Sequence, residues 1–227
     1  MGAIGGILAA GVAFLWLVGC SGSSVNEPKA RQTDEAAKAQ PKESCDFRAT
    51  RAERLDAPVS AFEGCALYLP SPDGRLELRS RDLPTHETEL FVVNRDGSSP
   101  RRVGVYETPT GLLWSPGSNA IMINDQKGSG QTSYLEIVHV KADRVVRSLS
   151  AQRNLSAMFK RMFRCDFDDE YVITSGKNWR DAATLVATVQ ANHHSGGCPL
   201  DPYSSNQLTL LVDANNGSVI ARKLPRQ

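Results

Sequence analysis

The side chains best suited to chemistry are concentrated in two short segments of the chain. The first is an acidic cluster, and the second is a segment rich in imidazole and thiol groups. They comprise Asp166, Asp168, Asp169 and Glu170 in the first, and His193, His194 and Cys198 in the second. Closely spaced carboxylates can ligate Ca²⁺ through oxygen, whereas imidazole and thiolate are ligands for Zn²⁺. The two segments are therefore the candidates for a metal site.

Each of these segments has a simpler interpretation. The acidic cluster has no Gly at the position of a sharp turn and no distal Glu for bidentate ligation, so it lacks the remaining features of a calcium loop. Its pattern instead favours a solvated turn before a strand. Cys198 cannot ligate zinc if it forms a disulfide. We therefore expect no metal and no cofactor, while an envelope hydrolase or metalloenzyme that uses His193, His194 and the acidic cluster stays as an alternative.

Other short motifs do not add up to a catalytic site. The segment 127–132, Lys-Gly-Ser-Gly-Gln-Thr, lacks the Gly-Lys-Ser/Thr ending of a phosphate loop, and we predict a loop between strands. His139 lies between Val138 and Val140, which is typical of a structural histidine in a strand. No Gly-x-Ser-x-Gly elbow is present in the sequence, and no Ser/His/Asp set can be placed together. The sequence therefore favours a protein that is not an enzyme.

Composition limits the class of protein. The chain has 227 residues with a formal net charge of +1, 41% hydrophobic and 22% charged residues. These fractions are typical of globular domains, and the length suffices for one domain with a core. Proteins that bind nucleic acid usually carry a strong basic excess, so we expect no nucleic-acid partner.

The first twenty residues carry no charged side chain and are mostly apolar from Ile4 to Val18. Such a run is typical of the hydrophobic region of a secretory signal peptide, although Met1-Gly2-Ala3 lacks the usual Lys or Arg. It ends in Leu17-Val18-Gly19-Cys20, which resembles the lipobox of bacterial lipoproteins. The resemblance implies cleavage after residue 19 and lipid attachment (palmitate among the acyl chains) at Cys20.

The resemblance also implies a location. In lipoproteins, a Ser after the lipidated Cys, here Ser21, directs the protein to the outer membrane, where it faces the periplasm; the cytoplasmic membrane is the alternative. An uncleaved transmembrane helix is the competing interpretation of the segment, since about 18 uncharged residues can span a bilayer.

Three segments follow from this assignment: a signal peptide over 1–19, a lipidated Cys with a flexible tether over 20–44, and a folded domain over 45–227. The tether has Val25 as its one large apolar residue and cannot offset the entropy of ordering. Four cysteines remain in the domain, and an even number in an exported protein predicts disulfides. Of three pairings, we favour Cys45–Cys65 and Cys165–Cys198, because each closes a short loop.

The domain contains an internal repeat. Polar turns at 71–74, 115–118 and 166–170 each precede a short apolar run, and Leu90, Leu135 and Leu208 each begin a second apolar run that leads to another turn. Asp96-Gly97 and Asn216-Gly217 are strong hairpin signals because Gly tolerates positive φ. Each unit is therefore predicted to contain four strands, and the units recur at intervals of roughly forty to fifty residues.

The turns Ser71-Pro72-Asp73-Gly74 and Trp114-Ser115-Pro116 resemble the repeats of TolB-like β-propellers. The resemblance covers roughly residues 66–224 and implies propeller blades of four strands, with partner binding as the function. Closed propellers need about four to eight blades, and three are found. We predict an all-β fold of about three four-stranded antiparallel units, as an incomplete propeller that closes by forming a homo-oligomer or as a sandwich.

One segment departs from the strand pattern. Apolar residues in 154–164 recur at i, i+3, i+4, i+7 and i+8, which predicts a short amphipathic helix. Basic side chains occupy the other face. We interpret it as a helical insertion packed on the core, with a first strand of the third unit or a membrane- or partner-binding helix as alternatives.

These observations favour a membrane-tethered, non-catalytic binding or scaffold module for an envelope protein or glycan. The long loop over 193–206 is the candidate binding loop, since it contains His193, His194, Asp201 and Tyr203. Tyr is common in binding surfaces. A structural lipoprotein without a discrete ligand is a further alternative, and it predicts that every loop substitution is tolerated.

The lipid anchor is tested by Cys20→Ser. Two or more acyl chains give stable anchoring, at roughly 0.8 kcal/mol per buried methylene, so the variant should move from the membrane to the soluble fraction. Fractionation of cells followed by mass measurement of the mature chain checks this. A full-length variant that stays in the membrane fraction would contradict the lipoprotein assignment.

Overall fold

Consecutive strands pair side by side along most of the domain. The computed structural model describes residues 45–48, 58–61, 65–127, 132–163, 172–191 and 207–223. Within these residues the chain forms thirteen strands and one helix, and twelve of the strands make three four-stranded antiparallel sheets in chain order. We call the three sheets blades 1, 2 and 3. The predicted all-β class and the three four-stranded units are confirmed, and no sheet among these residues closes on itself.

The bounds of the strands are as follows. Blade 1 contains β2 (Cys65–Pro70), β3 (Leu76–Asp82), β4 (Thr88–Asn94) and β5 (Arg101–Tyr106), and β1 (Cys45–Arg48) joins it. Blade 2 contains β6 (Pro109–Trp114), β7 (Ala120–Lys127), β8 (Thr132–Val140) and β9 (Val145–Ser148). Blade 3 contains β10 (Val172–Trp179), β11 (Thr184–Ala191), β12 (Leu208–Asp213) and β13 (Val219–Lys223).

The residues before the first repeat cover free strand edges. Strand β1 pairs in parallel with β2, with the Cα of Cys45 opposite that of Cys65. This register places the two cysteines of the predicted Cys45–Cys65 disulfide side by side. The disulfide itself stays a prediction. Farther along the chain, Val59 forms a bridge with Leu112 of β6, so the edge of blade 2 is covered as well.

The first two repeat turns have the same geometry. The amide of Gly74 donates to the carbonyl of Ser71 over 2.9 Å, and the amide of Ser118 donates to the carbonyl of Ser115 over 2.9 Å. Gly74 and Ser118 have φ values of +72° and +59°, so both occupy the left-handed region. The sequence repeat therefore corresponds to a structural repeat, even though Gly is retained in only one of the two turns.

The third turn was placed wrongly from the sequence. Val172, Ile173 and Thr174 follow the acidic cluster and were expected to form the second strand of their unit, but they begin β10, the first strand of blade 3. The equivalent turn is 180–183, where the amides of Ala183 and Thr184 donate to the Asp181 carboxylate. Hydrogen bonds from the Ala183 amide and from Thr184 hold the pKa of Asp181 below its usual range. An Asp replaces Pro and Gly as the residue that stabilises the turn.

Blade 2 lies between the two other blades and is buried on both faces. Ile121, Ile123 and Val138 pack against blade 1. Met122, Leu135 and Ile137 belong to the other face and pack against blade 3 and the helix. All six of these side chains are almost fully buried. An apolar run without alternation is typical of a sheet that is covered on both sides.

The predicted helical insertion is confirmed as α1 (Ser150–Phe163), which begins four residues earlier than the periodicity indicated. Ala151, Leu155 and Phe159 are buried in the core that blades 2 and 3 share. The side-chain Nδ2 of Asn154 donates to the main-chain carbonyl of Gly217 over 2.9 Å, which ties the helix to the β12–β13 turn. No helix among the described residues is long and apolar enough to cross a membrane.

Two indole rings link neighbouring blades. Nε1 of Trp114, at the end of β6, donates to the carbonyl of Leu69 in β2 over 2.9 Å. Nε1 of Trp179, at the end of β10, donates to the carbonyl of Leu113 in β6 over 3.2 Å. In both cases the first strand of a blade is fixed to the first strand of the preceding blade.

Replacing the first of these rings should destabilise the domain. Trp114→Phe removes a fully buried indole, leaves the Leu69 carbonyl without its donor and opens a small cavity, so we expect a loss of about 2–4 kcal/mol in the free energy of unfolding. Urea unfolding of the full chain, followed by circular dichroism, measures it. Val146→Ala, at a side chain that is 38% exposed, is the control and should cost less than about 1 kcal/mol. Equal shifts for the two variants would contradict the role of Trp114.

Candidate functional site: a cleft between the first two blades

The loop favoured from the sequence lies outside the described residues. His193, His194, Asp201 and Tyr203 fall in 192–206, as does Cys198, and the acidic cluster and Cys165 fall in 164–171. Cys20 lies in the N-terminal 44 residues, which are also outside the described part. The binding-loop, lipid-attachment and Cys165–Cys198 assignments therefore stay predictions.

The described strands bear on two of the sequence predictions, the structural role of His139 and the loop after Lys127. His139 lies in β8, as expected, and burial together with the nearby charge of Lys141 lowers its pKa. Strand β7 ends at Lys127 and β8 begins at Thr132, so the Gly-Ser-Gly segment connects two antiparallel strands. No phosphate-binding helix follows it, because Thr132 already belongs to a strand.

In each blade the first and third turns lie at the same end, because successive strands run in opposite directions. At this end of blades 1 and 2, four turns surround an open cleft of about 510 Å³. Two turns come from each blade. The side chains that line it are mostly polar or charged and include Asp73, Arg75, Asn94, Arg101, Asn119 and Lys141.

Hydrogen bonds between the blades hold the walls of the cleft in place. The amide of Asp73 in the β2–β3 turn donates to the hydroxyl of Ser118 in the β6–β7 turn over 3.0 Å. Within blade 2, the amide of Val140 donates to the carbonyl of Asn119 over 2.8 Å. The main chain that forms the cleft is thus fixed by contacts that do not depend on a ligand, and such a cleft is preformed.

One side of the cleft carries a local ion pair. Nε of Arg75 donates to a carboxylate oxygen of Asp73 over 2.8 Å, and the hydroxyl of Ser71 donates to the other oxygen over 2.6 Å. Burial opposes ionisation, but the hydrogen bonds from Ser71 and Arg75 prevail and lower the pKa of Asp73 to about 2. Asp73 is therefore ionised at every physiological pH, and its charge is balanced by Arg75.

The other side of the cleft is basic. Arg101, at the start of β5, extends across the blade boundary, where its Nη1 donates to the main-chain carbonyls of Lys141 and Ala142. These carbonyls belong to the β8–β9 turn, so Arg101 also joins blade 1 to blade 2. Lys141 lines the same cleft.

A second cavity, of about 250 Å³, lies near the opposite end of blade 2 and contains a charge pair whose acid is buried. Nε and Nη2 of Arg147 donate to the two carboxylate oxygens of Glu136 over 2.5 and 2.8 Å. The hydroxyl of Tyr106 in blade 1 also donates to Glu136, over 3.2 Å. The hydrogen bonds to Glu136 raise the pKa of Arg147, and burial next to Glu136 raises that of Tyr106.

Asp125 lies in the wall of this second cavity. Burial raises its pKa, although the amide of Thr108 donates to the carboxylate over 3.3 Å. The neighbouring acid, Glu136, is fully engaged with Arg147 and Tyr106. The arrangement joins blades 1 and 2 by charge and hydrogen bonds, and its acids are held in structural contacts. No cluster of three metal-ligating side chains is found within the described ranges.

The cleft residues were not identified from the sequence, because they come from five separate segments of the chain. One available signal was the repeat itself: the turns at 71–74 and 115–118 had to lie at the same end of adjacent sheets. Arg101 begins β5 and Lys141 follows β8, so each flanks the third turn of its blade, which the alternation of strand direction places at the same end.

The Glu136–Arg147 pair should contribute measurably to stability. Glu136→Gln leaves Arg147 without its carboxylate in a site where the acid is only 3% exposed, so we expect a loss of about 1–3 kcal/mol in the free energy of unfolding. Asp143→Asn, which breaks the exposed pair with Arg144, is the matched control and should cost less than about 1 kcal/mol. Urea midpoints that move equally in both variants would contradict the larger contribution expected of the Glu136–Arg147 pair.

The chain has low similarity to solved β-propeller structures. It is 14% identical to the β-propeller domain of the Trilobed protease from Pyrococcus furiosus, with a TM-score of 0.42 over 69% of this chain and 42% of that one. It is 10% identical to the acylaminoacyl peptidase of Pyrococcus horikoshii, with a TM-score of 0.40 over 78% of this chain and 26% of that one. It is 13% identical to TolB from Acinetobacter baumannii, with a TM-score of 0.32 over 66% of this chain and 40% of that one. The chain thus spans less than half the length of each. No family model and no curated protein matches the sequence.

Proposed function

We propose that this chain is a non-catalytic binding or scaffold module of the bacterial cell envelope, and that the cleft between blades 1 and 2 receives its partner. The proposed tether is the lipid on Cys20, with the outer membrane as the location. The partner is an envelope protein or glycan. The observation that carries the proposal is the open, polar cleft of about 510 Å³, which turns of two adjacent sheets surround.

Three properties of this cleft support a binding role. Turns that a rigid scaffold positions are the usual location of recognition residues. The walls are held by the Asp73–Ser118 and Val140–Asn119 hydrogen bonds, so the main chain of the cleft loses little conformational entropy when a ligand binds. Finally, the side chains at the surface offer donors, acceptors and charge of both signs.

A cross-linking experiment in the native cells tests the proposal. A photoreactive amino acid is placed at Arg75, whose side chain is 85% exposed at the rim of the cleft, in the chain with Cys20 intact. We expect one stoichiometric adduct with an envelope component. The matched control places the same amino acid at Arg153, which is exposed on α1, away from the cleft-lining residues.

The outcomes separate the alternatives. An adduct that forms at position 75 and not at 153 supports docking at the cleft. An adduct that contains only a second copy of this chain would replace the proposal with ring closure by self-association. Equal labelling from both positions would contradict a partner site at the cleft.

A further inference from the structure

One edge of the Arg101 guanidinium has no partner. While Nη1 donates to two main-chain carbonyls, over 2.6 and 3.2 Å, Nε and Nη2 are buried and meet no acceptor in the part of the chain that the structure describes. A buried donor without an acceptor is unfavourable, and more so when the group is charged. The guanidinium cannot lose its proton to relieve this cost.

The unpaired edge has a specific shape. Nε and Nη2 lie on the same side of the planar guanidinium and direct two nearly parallel N–H bonds outward. This spacing matches the two oxygens of a carboxylate or phosphate group, which guanidinium binds in a bidentate manner. The carbonyls of Lys141 and Ala142 accept from the opposite end of the group, so they do not use this edge.

The charge of the cleft favours an anion. Asp73 is the one acidic residue among the described residues of the lining, and it is paired with Arg75 over 2.8 Å. The positive charges of Arg101 and Lys141 are therefore not neutralised by an acid of the cleft wall. Asn94, Ser118 and Asn119 supply neutral polar groups for the remainder of a ligand.

We propose that the cleft binds its ligand through a carboxylate or phosphate group that pairs with Nε and Nη2 of Arg101, with Lys141 adding positive charge. This inference rests on the proposed function and names the chemistry of the partner. Because the edge is buried in the present side-chain conformation, the ligand reaches it after a change of side-chain torsion. Changes of this kind are common at binding interfaces.

The inference is tested by titrating the full chain with inorganic phosphate, glutarate and glutaramide, the uncharged isostere of glutarate, with calorimetry as the readout. We expect binding of at least one of the two anions with one equivalent per chain, and no comparable binding of glutaramide. Tighter binding of phosphate or of glutarate assigns the ligand group. Absence of binding for both anions at millimolar concentration, or equal affinity for glutaramide, would overturn the inference.

Substitutions at Arg101 test its role in binding the anion. Arg101→Lys keeps the charge but removes the fork, and we expect affinity for the anion to fall about tenfold or more. Arg153→Lys on α1 makes the same change at an exposed site and should bind as the wild type does. Thermal unfolding checks that both variants fold.

If Arg101→Lys is unfolded, Lys141→Gln replaces it, with an expected loss of affinity for the anion of about threefold or more. Unchanged affinity in the folded variant rejects the assignment. Retained cross-linking at position 75 by such a variant would leave the proposed function standing without this chemistry.

Discussion

The burial of blade 2 on both faces is the constraint on which the rest of the domain depends. Its strands supply Ile121 and Ile123 to the core shared with blade 1, and Met122 and Ile137 to the core shared with blade 3. A sheet with one polar face could support only one neighbour. Since each outer blade buries its inner face against this sheet, blade 2 determines the spacing of both cores, and with it the width of the cleft between blades 1 and 2.

Polar contacts then fix how the blades align, which hydrophobic packing alone does not specify. The carboxamide of Asn124 in β7 donates to the carbonyl of Gly176 over 2.9 Å and accepts from its amide over 2.8 Å, so a buried side chain completes the backbone hydrogen bonds of blade 3. Gly111 has a φ of +63°, and a Cβ there would lie 2.2 Å from Nδ2 of Asn124. The glycine in β6 is therefore needed for the asparagine to reach its partner.

The outer face of blade 1 carries charged side chains, whereas its inner face is apolar. Arg81 and Arg102 both pair with Glu89, and the guanidinium of Arg81 lies 5.1 Å from the ring centre of Phe91. Arg79 covers Tyr68 in the same way, at 5.4 Å. The side chains of Arg81 and Arg102 are 64% and 63% exposed, so this face is polar and open to solvent among the described residues. The predicted closure of the ring by self-association stays a prediction, and this face offers charged rather than apolar contacts for it.

Local patterns in the sequence determined the class of fold, the strands of the first two blades and the helical insertion, because strand alternation, turn residues and helical periodicity are properties of neighbouring residues. The third repeat was misplaced, because its turn at 180–183 contains neither Pro nor Gly and uses Asp181 instead, while Trp179 takes the position of Trp114. The cleft was decided by the tertiary structure. Asp73, Arg101 and Lys141 are far apart in the chain and meet only because blades 1 and 2 share a core, and the unpaired edge of Arg101 depends on which carbonyls the neighbouring blade places beside it. No short-range pattern records such contacts.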